Sequence, residues 1–392
     1  MNYREESLKK HAQWRGKIEV ECRVPVSCRE ELSLAYTPGV AEPCLAIHED
    51  VEKSFDLTRR WNTVPVITDG TAVLGLGDIG PEAGMPVMEG KCALFKAFGD
   101  VDAIPLCIRS KDTEEIIRTV KLIAGSFGGI NLEDIAAPRC FEIEKRLLEE
   151  LDIPVFHDDQ HGTAIVLSAA LLNALKLSGR KIEEVSIVIN GAGAAGIAIA
   201  YFLRDLGARE ITVCDRTGII RDCEPYNAPK RELARVINPE GRCGSLADAM
   251  KGTDIFIGVS GPGLVTPEMV RSMAPDPLIF PMANPVPEIG YYEALEAGAF
   301  IVGTGSSAFP NQINNVLVFP GLFRGALDAR ARTINRQMLV AAARALQGCI
   351  GEDELSKEHI IPFAWDKSAH KAVAEAVRQA AIDSGVSKLY SK

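Results

Sequence analysis

The second half of the chain alternates short apolar runs with longer stretches in which apolar residues recur every three to four positions. Short apolar runs bounded by turn residues are typical of buried strands, and the longer spacing is typical of amphipathic helices. Strands that alternate with helices indicate a parallel, doubly wound sheet. We therefore predict strands over residues 185–189, 211–214, 255–259, 278–280 and 300–302, with a helix over 195–206 between the first two.

The first half contains the same kinds of segment in a less regular order. It predicts strands over 64–68, 103–108 and 153–156, helices over 113–124, 141–151 and 162–177, and a stop for the last of these at Gly179. A final helix over about 371–384 is expected to pack back on the body. The predicted fold class is α/β with two domains, an N-terminal α/β domain (1–160) and a C-terminal Rossmann-like domain with a parallel sheet (161–392).

Composition and charge exclude some classes of function. A net charge of −10 argues against nucleic acid as a partner, because phosphate binding needs concentrated Lys and Arg. The longest apolar helix candidate, 164–177, is shorter than the roughly 20 residues that a membrane span requires. Ten scattered cysteines without a C-x-x-C pair, and an N-terminus without an apolar signal segment, predict a cytoplasmic protein with reduced thiols.

Two stretches match the G-x-G-x-x-G pattern, and their contexts differ. The first, residues 75–80, is followed by Pro81, Gly84 and Pro86, which argue against a clean helix start, so we interpret it as a loop. The second follows a predicted strand and opens a predicted helix, the arrangement in which glycines let the backbone approach a pyrophosphate. Its residues are Gly191, Ala192, Gly193, Ala194, Ala195 and Gly196.

The acid expected after such a motif is also present. Asp215 ends the next predicted strand, nineteen residues past Gly196, where a carboxylate would bind the ribose 2′-hydroxyl of NAD. Arg216 beside it could instead favour the 2′-phosphate of NADP. The sequence therefore predicts a dinucleotide site, with NAD preferred over NADP.

Paired acids follow two short apolar strands that are predicted in the first half of the chain. Glu133-Asp134 and Asp158-Asp159 could simply cap the helices that follow, but both pairs fall at the mouth of a predicted parallel sheet. Carboxylates without Cys or His at ligand spacing make a hard oxygen site, suited to Mg²⁺ or Mn²⁺. His157 and His161 flank the second pair, and we expect them to support the site by hydrogen bonding.

Taken together, several motifs resemble those of malic enzymes, in the same order along the chain. They run from about residue 30 to residue 320, and the chain length is similar to that of the small bacterial type. The matching stretches are Ala35-Tyr36-Thr37-Pro38-Gly39-Val40, 75–80, Glu89-Gly90-Lys91, Asn131-Leu132-Glu133-Asp134, 157–164, 191–196, Ala283-Asn284-Pro285 and Asn314-Asn315.

The resemblance implies roles for individual residues. Glu133, Asp134 and Asp159 would be the metal ligands, and the metal would hold malate and act as a Lewis acid during decarboxylation. Lys91 would be the general base, which requires burial or neighbouring cations to depress its pKa. Asp158 would orient Lys91 and pass protons.

The remaining implied roles lie around the substrate. Tyr36 would be the acid that protonates C3 after CO2 leaves. Asn284 would lie near the nicotinamide, and Asn314 or Asn315 would hold a substrate carboxylate. Residues 1–160 would be the catalytic domain and 161–392 the NAD(P)-binding domain, and the protein is expected to be a homodimer whose N-terminal segment reaches the partner.

One departure from the family pattern concerns the substrate. Large eukaryotic members carry an arginine just before the 75–80 stretch, and here that place reads Asp69-Gly70-Thr71-Ala72. We interpret the backbone N–H groups of Thr37 to Val40, with an asparagine, as the groups that hold the C4 carboxylate.

The expected reaction is oxidative decarboxylation of (S)-malate to pyruvate and CO2 with NAD(P), together with decarboxylation of oxaloacetate. A malolactic enzyme, which would form lactate at the same site without releasing NAD(P)H, is the nearest alternative. A non-catalytic nucleotide sensor on the same scaffold is the alternative from another class. Such a sensor need not retain Tyr36, Lys91 and three metal carboxylates together.

Overall fold

The computed structural model describes residues 3–389 and contains two sheets flanked by helices. The strands are β1 Thr63–Thr68, β2 Asp102–Cys107, β3 Ile130–Leu132, β4 Val155–His157, β5 Ser186–Asn190, β6 Glu210–Asp215, β7 Gly218–Ile219, β8 Ile255–Gly258, β9 Leu278–Pro281 and β10 Ile301–Val302. The α-helices are α1 Tyr3–Trp14, α2 Arg29–Ala35, α3 Ala41–Glu49, α4 Ser54–Leu57, α5 Pro81–Gly99, α6 Thr113–Ile123, α7 Arg139–Glu150, α8 Asp158–Ser178, α9 Ala194–Asp205, α10 Ala228–Ile237, α11 Leu246–Met250, α12 Pro267–Arg271, α13 Tyr291–Glu296, α14 Phe319–Asp328, α15 Arg336–Gln347 and α16 Lys367–Asp383.

The first sheet is fully parallel, with strand order β2-β1-β3-β4. Because alternate residues of a strand face opposite sides, Val64 and Val66 of β1 join the large core that contains Phe95 of α5. Ile67 points to the other side and packs in the cluster that contains Ile116 of α6. Helices therefore cover both faces of this sheet.

The second sheet has the order β10-β9-β8-β5-β6-β7, in which only the two-residue β7 is antiparallel. Its order reverses beside β5, since β6 lies on one side of that strand and β8 on the other. Ligands of doubly wound sheets bind at the carboxyl ends of strands where the order reverses. The predicted α/β architecture with a parallel sheet is confirmed.

Helix α8 connects the two sheets and is almost wholly buried over its last two thirds. It begins four residues before the predicted start, because Asp158 and Asp159 form its first turn, where carboxylates interact favourably with the helix dipole. It ends at Gly179, whose φ of 66° gives the expected left-handed cap. Among the described helices, α8 alone is long and apolar enough to cross a membrane, and 72% of that apolar window is buried in the protein core.

Helix α5 contradicts the prediction made for the segment after the first glycine stretch. Pro81, Gly84 and Pro86 do not prevent a helix there, and α5 runs from Pro81 to Gly99. Proline is tolerated at the first helical position because the N–H that it lacks has no intrahelical partner there. Lys91 consequently lies in the middle of a helix, on the face that is buried.

The three C-terminal helices form a layer that joins both parts of the chain. Helix α16 packs on α14 and α15, α15 packs on α8, and α14 packs on α5. Helix α16 begins at Lys367, earlier than predicted, and packs back on the body as expected. These contacts hold α5, and with it Lys91, against the start of α8.

Candidate active site

Neighbouring strands bring the two acid pairs to one edge of the first sheet. Glu133 and Asp134 follow β3, Asp158 and Asp159 begin α8 directly after β4, and the two strands pair in parallel. Oxygen atoms of Glu133, Asp134 and Asp159 lie within 4.8 Å of one another. The first two side chains are buried and the third is partly exposed. Three converging carboxylates fit Mg²⁺ or Mn²⁺ better than zinc, which prefers Cys and His.

Asp134 is held in an uncommon backbone conformation. Its φ of 53° is left-handed, a region that costs a residue with a Cβ about 1 kcal/mol or more. Two hydrogen bonds fix it there: its N–H donates to Oδ2 of Asp159 at 2.8 Å, and its carbonyl accepts from the N–H of Ala72 at 3.0 Å. The arrangement of the three carboxylates is therefore fixed by the backbone as well as by the side chains.

Lys91 reaches the same carboxylates from α5. Its Nζ lies 3.0 Å from Oε1 of Glu133, forms an ion pair with Asp158, and sits 4.1 Å from the centre of the Phe319 ring. Burial alone would lower the pKa of Lys91, but the Asp158 and Glu133 carboxylates outweigh it and raise that pKa. The protein groups around Lys91 therefore do not by themselves meet the condition of a depressed pKa, because its neighbours are anions and not cations.

Asp158 is completely buried, and burial raises its pKa to about 7 while Lys91 partly offsets the shift. Its orientation depends on Gly162, one turn further along α8, because a Cβ at that glycine would lie 1.9 Å from Oδ1 of Asp158. The same Cβ would lie 3.2 Å from the Cβ of Asn315. Asn315 therefore borders the site, whereas the side-chain oxygen of Asn314 accepts from the N–H of Val316 and caps the turn that follows.

A buried network supports the start of α8. The Glu144 carboxylate accepts the N–H of His157 at 2.9 Å and contacts Nε2 of His161 at 3.0 Å. Burial would raise the pKa of Glu144, but His161 holds it below its usual value. Burial lowers the pKa of His157 to about 4, so this ring is neutral at pH 7. Sequence reasoning missed Glu144, because on α7 it looks like any acid of an amphipathic helix.

The second sheet presents a groove of about 890 Å³ at the carboxyl ends of β5 and β6. The predicted glycine motif follows β5 directly, and α9 begins at Ala194. Gly196 lies so close to the turn that a Cβ there would be 1.7 Å from the carbonyl oxygen of Gly191. The lining includes Gly191 to Gly193, Asp215 and Arg216, so the loop, the acid and the neighbouring cation predicted for a dinucleotide share one groove.

Lys230 is a groove residue that sequence reasoning missed. Its Nζ lies 2.5 Å from Oδ2 of Asp215, and the other carboxylate oxygen accepts from the N–H and hydroxyl of Thr217. Burial would raise the pKa of Asp215, but the bonds from Lys230 and Thr217 lower it overall. Lys230 lies on α10, which the apolar pattern did not predict, so no sequence signal connected it with Asp215.

Two other predicted groups lie apart from the carboxylates. Asn284 follows β9, and its amide nitrogen lies against Gly305. Tyr36 is 66% exposed, and among residues 3–389 no contact joins its phenol to Lys91 or to the carboxylates. The N–H groups of Gly39 and Val40 donate to the carbonyls of Ser33 and Tyr36, so these two groups of the expected substrate clamp already have partners within the chain.

Two models of known protein families match this chain. The model described as malic enzyme, N-terminal domain, matches residues 15–114 and 109–148, and the model described as malic enzyme, NAD binding domain, matches residues 160–382. The chain belongs to the malic enzyme family.

Individual malic enzymes are similar to this chain over nearly all of its length. The bifunctional malic/malolactic enzyme of Bacillus subtilis is 55% identical over 99% of this chain and 95% of its own. The NAD-dependent malic enzyme of Geobacillus stearothermophilus is 56% identical over 95% of this chain and 78% of its own. The solved structure of the NAD-dependent malic enzyme from Thermotoga maritima superposes with a TM-score of 0.91 at 51% identity, covering 95% of this chain and 98% of that one.

Proposed function

We propose that this malic enzyme catalyses the metal-dependent oxidative decarboxylation of (S)-malate to pyruvate and CO2 with reduction of NAD or NADP, and that it also decarboxylates oxaloacetate. The observation that carries the proposal is the convergence of Lys91, Asp158 and three carboxylate ligands at one sheet edge. In the same chain, a groove with a glycine-rich turn, Asp215 and Lys230 provides the cofactor site.

Each group has one chemical task in this scheme. Glu133, Asp134 and Asp159 hold the divalent cation, which supplies Lewis-acid polarisation of the substrate oxygens. Lys91 would take the C2 hydroxyl proton during oxidation at C2, for which bound NAD or NADP would supply the hydride acceptor. Asp158 orients Lys91 and, with a pKa near 7, can take that proton in turn near neutral pH.

The later steps involve the other proposed residues. Loss of CO2 from C3 leaves an enolate, and Tyr36 donates the proton to C3 that converts it to pyruvate. Asn315, at the border of the site, holds a carboxylate of the substrate, and Asn314 supports the turn that presents it. Asn284 contacts the nicotinamide side of the cofactor.

We further propose a homodimer in which the N-terminal segment of one protomer reaches the active site of its partner. Helices α2 and α3 contain no buried residue, and short helices without a packed face are not stable in water. Leu32, Leu34 and Tyr36 are 51%, 79% and 66% exposed, so large apolar side chains of this segment are left uncovered within one protomer. Tyr36 would thereby be brought to the partner's Lys91.

The organisation and location of the chain complete the proposal. We propose a catalytic domain over 1–160 and an NAD(P)-binding domain over 161–392, which divide next to the first turn of α8. All ten cysteines are free, in agreement with the proposed cytoplasmic location.

Malate-dependent absorbance at 340 nm, with NAD or NADP and with or without Mn²⁺, tests the function. We expect Mn²⁺-dependent formation of reduced cofactor together with pyruvate and CO2. The similarity to a bifunctional malic/malolactic enzyme favours a second activity, the conversion of malate to lactate. Lactate and CO2 formed without reduced cofactor would establish malolactic turnover in place of the proposed reaction.

A further inference from the structure

The first glycine stretch, which the cofactor site does not use, forms a loop between the two halves of the chain. We call residues 70–80 the glycine loop. Its ends are closed by the carbonyl of Gly70, which accepts the N–H groups of Ile79 and Gly80 at 3.2 and 3.1 Å. Gly70 has a φ of 70°, and a Cβ there would lie 2.3 Å from the backbone of Gly80, so this closure requires glycine.

The base of the loop is attached to a metal ligand. The N–H of Ala72 donates to the carbonyl of Asp134, and the hydroxyl of Thr71 accepts the N–H of Ala136 at 3.0 Å. Arg139 donates to both Asp69 and Thr71, at 2.7 and 3.0 Å. Hydrogen bonds therefore join the base of the loop to the segment that carries Asp134.

The tip of the glycine loop contacts the segment after β9 that contains Asn284, the residue proposed to lie near the nicotinamide. A Cβ on Gly75 would lie 2.3 Å from the carbonyl oxygen of Asn284 and 2.7 Å from Cδ of Pro285. Gly75 is only three positions after Ala72, and three residue steps reach at most roughly 11 Å. The glycine loop is thus a short spacer between the backbone of Asp134, a proposed metal ligand, and the loop that follows β9.

We propose that Gly75 is a positioning residue, which sets the approach of the nicotinamide to the substrate by allowing the glycine loop to pack directly on Asn284 and Pro285. Hydride transfer needs the reacting atoms about 3–3.5 Å apart, and a 1 Å misplacement can cost about 100-fold in rate. A methyl group at Gly75 must displace the Asn284 backbone by about that much to reach ordinary contact distance. The proposal rests on the proposed function of the chain.

The test compares Gly75→Ala with Gly125→Ala, a matched control, since a Cβ on Gly125 would meet no atom within 4 Å. For Gly75→Ala we expect malate oxidation to fall about 10- to 100-fold, with a larger primary isotope effect from malate deuterated at C2. Oxaloacetate decarboxylation without cofactor and the Mn²⁺ dissociation constant from electron paramagnetic resonance should stay within about twofold. If Gly75→Ala does not fold, Pro285→Ala serves in its place, because it loosens the same contact from the other side. It should likewise lower malate oxidation and leave oxaloacetate decarboxylation and Mn²⁺ affinity nearly unchanged.

Two results would overturn the proposal: an unchanged rate of malate oxidation in Gly75→Ala, or a parallel fall of oxidation, decarboxylation and metal affinity, which would indicate a merely structural role. Failure of the proposed function is distinguishable, because the wild-type protein would then not reduce NAD or NADP with malate. The Gly125→Ala control should match the wild type in every measurement.

Discussion

The Nζ atom of Lys91 lies 3.0 Å from Oε1 of Glu133, so one carboxylate is both the counter-ion of the proposed base and a proposed metal ligand. That carboxylate, with Asp158, raises the pKa of Lys91 against the effect of burial. A cation bound to Glu133 offsets this negative charge and favours the neutral amine that a general base requires. Metal binding and activation of the base are therefore coupled through Glu133.

The first prediction is that metal affinity falls as the pH falls through 7. Burial raises the pKa of Glu133 to about 7, with Lys91 partly offsetting the shift, so a proton competes with the cation below that pH. The Mn²⁺ dissociation constant, measured by electron paramagnetic resonance, should rise roughly tenfold per pH unit below about 6.5 and level off above about 8. A constant value between pH 5.5 and 8 would contradict the raised pKa of Glu133.

Lys91→Ala should reduce turnover with little change in malate binding. A positioned general base contributes about 10²–10⁴ in rate, and Lys91 is the buried cation that faces both Glu133 and Asp158. Steady-state kinetics with malate would show the loss in kcat, and titration calorimetry would show binding within about threefold of wild type. A variant with full activity would remove Lys91 from the mechanism.

Gly162→Ala should inactivate the enzyme although it adds a better helix-forming residue. Alanine in a helix interior is favoured over glycine by about 1 kcal/mol, but this Cβ would lie 1.9 Å from Oδ1 of Asp158. Asp158 must rotate away from Lys91, so kcat should fall by roughly 10²-fold or more. Gly125→Ala serves as the control, and wild-type kcat in Gly162→Ala would show that Asp158 does not depend on this glycine.

Much of the fold could be predicted because its strands and amphipathic helices have strong apolar periodicity. The strands of both parallel sheets and the carboxylates at their ends follow from local pattern, as with Asp134 after β3 and Asp159 after β4. Helix α5 could not be predicted, because Pro81 and Pro86 obscure a helix that tertiary packing on the first sheet and α14 stabilises.

The features of the site that the sequence did not predict depend on contacts between segments that lie far apart in the chain. The salt bridge between Lys230 and Asp215, and the packing of Gly75 on Asn284, join positions whose separation in the chain carries no periodic signal. The raised pKa of Lys91 could not be predicted for the same reason, since only the folded structure places two buried carboxylates around it. Residue type and spacing identify the groups, and packing determines their electrostatics.

A hybrid of two inactive variants should recover activity if Tyr36 completes the partner's site. Tyr36→Phe and Lys91→Ala chains with different tags, co-expressed at equal levels, would form about half hybrid dimers, each with one intact site. Their mixture should therefore show roughly a quarter of the wild-type activity, while each variant alone is inactive. Purified hybrids without activity would instead place Tyr36 and Lys91 of one chain in the same site.

Removing Lys230 should shift cofactor preference towards NAD. Asp215 repels a 2′-phosphate, and Lys230, 2.5 Å away, offsets that charge and offers a donor to the phosphate. Without the lysine, NADP loses a charge-assisted bond of about 1.5–3 kcal/mol, whereas NAD keeps the bond from its ribose hydroxyl to Asp215. We therefore expect Lys230→Met to lower kcat/KM for NADP about tenfold or more relative to NAD. Lys251→Met, on an exposed residue elsewhere in the same half of the chain, is the control. An unchanged ratio of the two kcat/KM values would show that Lys230 does not contribute to the choice of cofactor.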